Sequence, residues 1–300
     1  MHTNYLNYNK LRNGIQVEYE KNGRKTPDRL KVIDFEEPTN NQFTVVSQLW
    51  IKGEVHWRRP DLIIYINGLP IVFIELKNSN IPVKNAYDIN LQNYLKDIPY
   101  LFHYNQICVL SNGTETRLGS FKAGYEHFFE WLKTDDEKES PNRKDIREKA
   151  ISLEYLIAGL LRKESLIDYV ENFILFDRQR VKLIAKNHQY LGVNNVFESF
   201  KSRESLKGKL GVFWHTQGSG KSYSMVMLAR KIKHKVPGNF TFLVVTDRED
   251  LDTQIYKNFL RTEFITKEEK VQPANSSALR EELKTNKTIL FTLIHKFRYD

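Results

Sequence analysis

Cysteine is almost missing from this chain: Cys108 is the single one among 300 residues. One thiol excludes an internal disulfide and any cysteine-built zinc site, and it suits a reducing cytosol. Cys108 lies inside the apolar run QICVL, where it reads as a core strand residue and a poor nucleophile. Long apolar runs are missing as well. No stretch approaches the ~18 consecutive apolar residues of a membrane span. The opening MHTNYLNYNKLRNG has no apolar segment of the signal-peptide kind. A cytoplasmic protein with no membrane partner is expected. Internal repeats and low-complexity tracts are not found either.

What is present points to a folded chain with a polyanionic partner. Apolar residues make up 40% of the sequence, with 18 Phe and 15 Tyr, enough for real cores. The length suits about two domains. A net charge of +9 favours a polyanion such as nucleic acid, although for this length it is moderate.

Arg58 to Lys77 reads RRPDLIIYINGLPIVFIELK, the pattern of a β-hairpin. Asp61 to Asn67 form one apolar, β-branched run, Gly68, Leu69 and Pro70 supply a turn, and Ile71 to Lys77 return. With the turn centred on Gly68, Asp61 and Glu75 are equally far from it and stand opposite one another. Strand side chains alternate, so Glu75 and Lys77 share a face that Asp61 can join. Both faces are otherwise apolar, which places the hairpin in the middle of a domain. A glutamate after IVFI is costly to bury unless it is paired or holds a metal. Two carboxylates and an ammonium at one end of a buried hairpin fit a Mg²⁺ site beside a phosphate substrate. The bland alternative is strand-end charges facing solvent, and the bare pattern is common by chance.

Along the chain, IQVEYE, LKVIDF and FTVVSQLWI read as strands, with NGRKTPD and EEPTNN as turns. Residues 84 to 97 have helical spacing, with Ala86, Ile89, Leu91 and Leu95 on the core face. NQICVLSNG is another buried strand. The polar stretch 133–150 is the best linker, and 151–207 reads as a helical connector.

A second α/β unit opens with the short strand GVFW, followed by HTQGSGKS and an amphipathic helix. That is the context of a phosphate-binding loop. Thr216, Gln217, Gly218, Ser219 and Gly220 would cradle phosphates, Lys221 would reach the β- and γ-phosphates, and Ser222 would ligate Mg²⁺. His215 stands where the generic pattern has glycine. Further on, Thr246, Asp247 and Arg248 end a strand, where ligands of open α/β sheets bind. Arg248 is a candidate for a DNA phosphate; a plain charged loop is the alternative.

With these residues together, the chain resembles the R (motor and restriction) subunit of type I restriction–modification enzymes. The matching features are RRPD with NGLPIVFIELKN, and WHTQGSGKS with VVTDREDLDTQ, in the family's order. The resemblance covers nearly the whole chain and accounts for His215. It implies an α/β protein: a PD-(D/E)xK nuclease-like domain with a central mixed sheet (1–132), the linker (133–150), the connector (151–207) and an incomplete first RecA-like motor lobe (208–300). It implies that Asp61 and Glu75 hold Mg²⁺ and that Lys77 is the catalytic lysine. Lys221 and Ser222 would serve ATP and its Mg²⁺, and Gln189 would read adenine. The segment TLIHKF, Thr292 to Phe297, with Lys296, would track the DNA backbone. The family's Gln-x-x-x-Tyr helix motif is altered: Gln92 and Tyr94 are wrongly spaced, and Asn90 holds the matching position.

The implied reaction is Mg²⁺-dependent cleavage of double-stranded DNA, coupled in the full protein to ATP-driven translocation, with methylation and specificity subunits as partners. A Walker B Asp-Glu pair and a second motor lobe are not found, so an amino-terminal fragment unable to turn over ATP is expected. The competing readings are a non-catalytic DNA-binding fragment and another helicase–nuclease fusion, for instance in DNA repair.

Overall fold

The computed structural model describes residues 1–21 and 23–297. The chain divides into two compact units, 1–191 and 192–300. No helix of the described residues is long and apolar enough to cross a membrane.

In the first unit, the helix His2–Asn13 leads into an antiparallel hairpin of β1 (Ile15–Lys21) and β2 (Arg24–Leu30). The return strand therefore uses RKTPD from the expected turn NGRKTPD and ends at Leu30, and the rest of LKVIDF is not a strand. Asp34 explains the second point. Its carboxylate accepts the N–H groups of Glu36 and Glu37, both at 3.0 Å, a local closure that competes with a β-ladder. The segment FTVVSQLWI divides too. It gives β3 (Phe43–Ser47) and, after Gln48 at φ 55°, β4 (Ile51–Lys52), which pairs with β5 (Trp57–Arg58) as a separate small hairpin.

The main sheet adds β6 (Leu62–Ile66), β7 (Leu69–Leu76), β8 (Ile107–Ser111), β9 (Thr116–Gly119) and β10 (Phe129–Glu130). Its six strands run in the order β10-β9-β8-β7-β6-β3. Only β7 and β8 are parallel, so the sheet is mixed. A parallel step needs a crossover. The helical stretch 83–97 supplies it, made of Val83–Asn85, a π-helical Ala86–Leu91 and Gln92–Asp97. The wide π-turn corrects the expected core face. Ala86 and Leu91, five apart, are both buried, while Ile89 is turned out at 56% exposure. Ala86 and Leu91 pack with Ile63, Phe73, Phe102 and Cys108. Cys108 is fully buried and burial raises its thiol pKa, so it is the inert core residue expected.

Residues 133–191 pack with this unit. The Asn187 side chain accepts the N–H groups of Leu132 (3.2 Å) and Lys133 (2.9 Å) and donates to the Lys133 carbonyl (3.0 Å). Within the polar stretch, the Glu139 carboxylate accepts the N–H groups of Thr134, Asp135 and Asp136. Desolvation pushes its pKa up, but these bonds outweigh it and hold the group at about 2. Three helices follow, Arg143–Lys149, Ser152–Gly159 and Lys163–Asn172, and then a hairpin of β11 (Ile174–Asp177) and β12 (Val181–Ile184). Lys182 on β12 is 4% exposed. Its side-chain nitrogen lies within hydrogen-bond distance of the Asn4 side-chain oxygen (3.1 Å), the Asn105 carbonyl (2.7 Å) and the Gln106 side-chain oxygen (2.6 Å). One lysine thus ties the first helix, the start of β8 and β12 together.

The second unit has a parallel pair, β13 (Phe242–Thr246) and β14 (Ile289–Leu293), crossed over by the amphipathic helix Glu249–Arg261 and the helix Ser276–Leu283. The helix Lys221–Lys235 follows the glycine-rich loop, as its pattern predicts. The strand expected over GVFW is not formed. Val212 and Trp214 are 90% and 79% exposed, and a strand without a ladder partner has nothing to fix it.

Candidate active site

The first cluster forms at the open end of the β6–β7 hairpin, away from the turn that joins the two strands. That turn is Asn67-Gly68, both with positive φ (49° and 79°), so Leu69 and Pro70 belong to β7. Moving the turn by itself would slip the register and part Asp61 from Glu75. A β-bulge restores it: Tyr65 pairs with Pro70 but Ile64 with Val72, leaving Ile71 as the extra residue. Pro70, which cannot donate to a ladder, sits beside that irregularity. Leu62 then pairs with Ile74, and the next step brings Asp61 opposite Glu75, as expected.

Glu75 is 2% exposed in the central strand. Its Oε1 accepts from the Lys77 ammonium at 2.7 Å; its Oε2 is buried with no donor in good hydrogen-bond geometry, although the Tyr94 hydroxyl is near enough to act on the Glu75 carboxyl. Desolvation raises the Glu75 pKa; the Lys77 hydrogen bond opposes this, and the nearby Asp61 charge adds to it. Lys77 also donates to the Leu76 carbonyl at 3.1 Å. Asp61 is held from two sides: Oδ2 accepts the Leu76 N–H at 2.8 Å, and Oδ1 accepts from the Gln48 side chain at 3.0 Å. Gln48 also donates its own N–H to the Asp61 carbonyl at 2.9 Å. Sequence reasoning missed Gln48, because its role depends on the kink that ends β3 and leaves no local pattern.

The structure separates the two uncertain helix residues. Tyr94 is buried, and its pKa is raised by desolvation and then by the Glu75 charge, so it stands against the carboxylate. Its hydroxyl donates to the Arg59 carbonyl at 3.3 Å. Gln92 is exposed and donates at 3.4 Å to the Tyr87 carbonyl, away from the cluster. Asn90 lines the same cavity as Tyr94. The cluster therefore comprises Asp61, Glu75, Lys77 and Tyr94, steadied by Gln48. Among the described residues, no group of three or more His, Cys, Asp and Glu side chains gathers into a metal-binding set, so the carboxylates here are a pair.

The second cluster is the loop Thr216–Gly220. Gly218 and Gly220 hold φ of 78° and 90°, a region that side chains with a Cβ adopt with strain. Thr216, Gln217 and Gly218 are exposed, while Ser219 and Ser222 are half-buried. Lys221 opens the following helix, and its ammonium donates to the carbonyls of His215 (2.7 Å) and Thr216 (3.0 Å), closing the loop on itself. Gln189 belongs to the first unit. Its side-chain oxygen accepts the Lys186 N–H at 3.0 Å and so caps the start of the helix Asn187–Lys201. Arg248 follows the end of β13 and forks onto Asp250 at 2.6 and 3.1 Å. Lys296 donates to the Pro273 carbonyl at 2.6 Å.

Comparison with known proteins agrees with both halves. The family of the type I restriction enzyme R protein N terminus (HSDR_N) matches residues 1–127, and that of the SWI2/SNF2 ATPase matches residues 188–300. The type I restriction enzyme HindI endonuclease subunit of Haemophilus influenzae is 39% identical over 97% of this chain and 28% of its own length. The putative type I restriction enzyme MjaIXP endonuclease subunit of Methanocaldococcus jannaschii is 35% identical over 97% of this chain and 29% of its own. A type I restriction enzyme endonuclease subunit of Staphylococcus aureus is 27% identical over 77% of this chain and 23% of its own. The chain thus spans less than a third of the length of these relatives. By the match of both halves, in order, to this one kind of subunit, the chain belongs to the type I restriction enzyme R protein family.

Proposed function

We propose that Asp61, Glu75 and Lys77 are the centre of a PD-(D/E)xK-type endonuclease that cleaves double-stranded DNA. We further propose that Thr216–Ser222 cradle the phosphates of ATP in a RecA-like motor lobe. In the full-length protein, ATP-driven translocation would precede cutting, with methylation and specificity subunits as partners. The observation that carries the nuclease reading is Glu75: a carboxylate in the middle of a sheet, with one oxygen on a lysine and the other buried without a well-placed donor. A buried carboxylate oxygen without a well-placed donor is costly, and a bound cation would offset that cost.

The donor set fits a hard divalent cation, which takes oxygen ligands: Asp61 and Glu75 would hold Mg²⁺ here and Ser222 at the nucleotide. When bound, the ion supplies Lewis-acid stabilisation and a more acidic water. The chain's own residues do the rest. Gln48 and the Leu76 N–H fix the Asp61 carboxylate, so it needs little reorganisation. Lys77 places a positive charge where charge builds on the phosphate. Tyr94 backs Glu75 and excludes water from that side. On the second unit, Lys221 exchanges its two loop carbonyls for phosphate oxygens. Arg248 and Lys296 are the proposed contacts to DNA phosphates.

The two activities reside on separate units, which sets a reciprocal test in the full-length protein assembled with its partner subunits. Lys77→Ala lowers cleavage by about 10²-fold, the order expected for losing one charge aimed at the transition state, and leaves ATP-driven translocation intact. Lys221→Ala stops translocation and ATP hydrolysis. Loss of both activities in the Lys77 variant refutes the assignment.

A further inference from the structure

The β4–β5 hairpin has no ladder to the main sheet, yet it is firmly seated. Gly53 permits this. A Cβ there would lie 2.3 Å from the Asp97 carbonyl oxygen and 2.7 Å from that of His56, so the hairpin presses its backbone onto the end of the helix Gln92–Asp97. Arg58 donates to the Asp97 carboxylate at 2.6 Å, and the Tyr100 hydroxyl donates to the Lys52 carbonyl. What this anchored hairpin displays is unusual for a surface. Trp50 and Trp57 are 59% and 56% exposed, where rings of this size are normally covered. The Arg59 guanidinium lies over the Trp50 ring at 5.0 Å from its centroid. Lys52, His56 and Arg59 are exposed beside a single acid, Glu54.

Between hairpin and helix lies a cavity of 280 Å³. Trp50, Trp57 and Arg59 wall one side; Asn90 and Asn93 offer amide donors and acceptors on the other. Tyr94 borders it and also stands against Glu75. Aromatic faces, amide edges and a cation together match the chemistry of one nucleotide with its base unstacked. A paired duplex offers this cavity no base face, because its bases are stacked on each other and its major groove alone is about 12 Å wide.

Resting on the nuclease reading above, we infer that the Trp50/Trp57 cavity takes an unpaired DNA base next to the cleavage centre, so that the strand is cut where it is locally opened. Arg59 holds the adjoining phosphate, and Asn90 and Asn93 meet the base edge.

The test uses the full chain in a chelator, which prevents cutting, with fluorescence anisotropy of a short mixed-sequence DNA strand, the same strand in a duplex, and the matching RNA strand. Trp50→Ala and Trp57→Ala each weaken single-strand DNA binding by about fivefold or more, since one base stack is worth about 1–3 kcal/mol. Duplex binding stays as it was. Trp50→Phe and Trp57→Phe retain most of the single-strand affinity, which separates stacking from misfolding. Equal losses on strand and duplex, no loss at all, or a loss confined to RNA overturns the inference. Glu75→Gln tells the two readings apart. If it abolishes cleavage while the tryptophan variants bind normally, only the inference fails; if it cuts normally, the nuclease reading fails.

Discussion

Glu75→Gln lowers Mg²⁺-dependent DNA cleavage by about 10³-fold or more, equivalent to some ~4 kcal/mol of transition-state stabilisation, because an amide cannot replace a carboxylate at a divalent ion. The same change does not lower the melting temperature. The wild-type carboxylate is desolvated and keeps one oxygen without a well-placed donor, so removing the charge relieves a burial cost. The pH dependence has a definite sign. Burial raises the folded-state pKa above the ordinary carboxyl value, so the folded form holds its proton longer than the unfolded chain. Stability is then greatest below the ordinary value and falls as pH rises through the raised one. In a chelator, the wild type therefore loses stability relative to Glu75→Gln as pH rises from acid toward neutral. Cleavage assays on the assembled full-length enzyme and thermal unfolding of the chain check the two parts. A variant that loses stability at every pH and cuts at a reduced but comparable rate would mark Glu75 as structural.

Lys182→Met opens a stability gap that widens as pH rises. Burial pulls the Lys182 pKa well below its ordinary value, while three hydrogen-bond acceptors and the Phe176 ring at 5.6 Å favour the charged form. Between the lowered value and the ordinary one near ~10.4, the unfolded chain carries a proton that the folded chain does not, so wild-type stability climbs by about 1.4 kcal/mol per pH unit. Methionine has no such slope. Near pH ~10 the burial cost of the lysine is largely gone. The variant leaves the side-chain oxygens of Asn4 and Gln106 unpaired, while the Asn105 carbonyl keeps the Asn4 amide, and it is then less stable by on the order of 3 kcal/mol. Toward neutral pH the gap shrinks. Chemical denaturation of both proteins across this range measures it, and other titrating groups cancel in the difference. A gap that does not change with pH removes the argument.

Much of the candidate site was legible because its chemistry is local. RRPD and IELK name their carboxylates and lysine, and alternation along a strand puts Glu75 and Lys77 on one face whatever the rest of the fold does. The expectation that Asp61 stands opposite Glu75 also held, although its stated route did not. The turn lies at Asn67-Gly68, and a bulge at Ile71 restores the register that the shorter turn would have shifted. Gln92, Asn90 and Tyr94 were not separable in advance, because the π-turn at Ala86–Leu91 breaks the regular helical spacing on which such a choice depends.

The sequence by itself determined the two motifs, their order, the apolar core around the hairpin and the family to which they point, because each rests on neighbours in the chain. Tertiary structure alone decided the rest. It placed Gln48 on Asp61, left one oxygen of Glu75 without a well-placed donor, drew residues 133–191 onto the first unit through Lys182 and Asn187, and set two tryptophans beside the site. Those features depend on contacts between residues far apart in the chain, and on a bulge, a kink and a π-turn that no residue pattern marks.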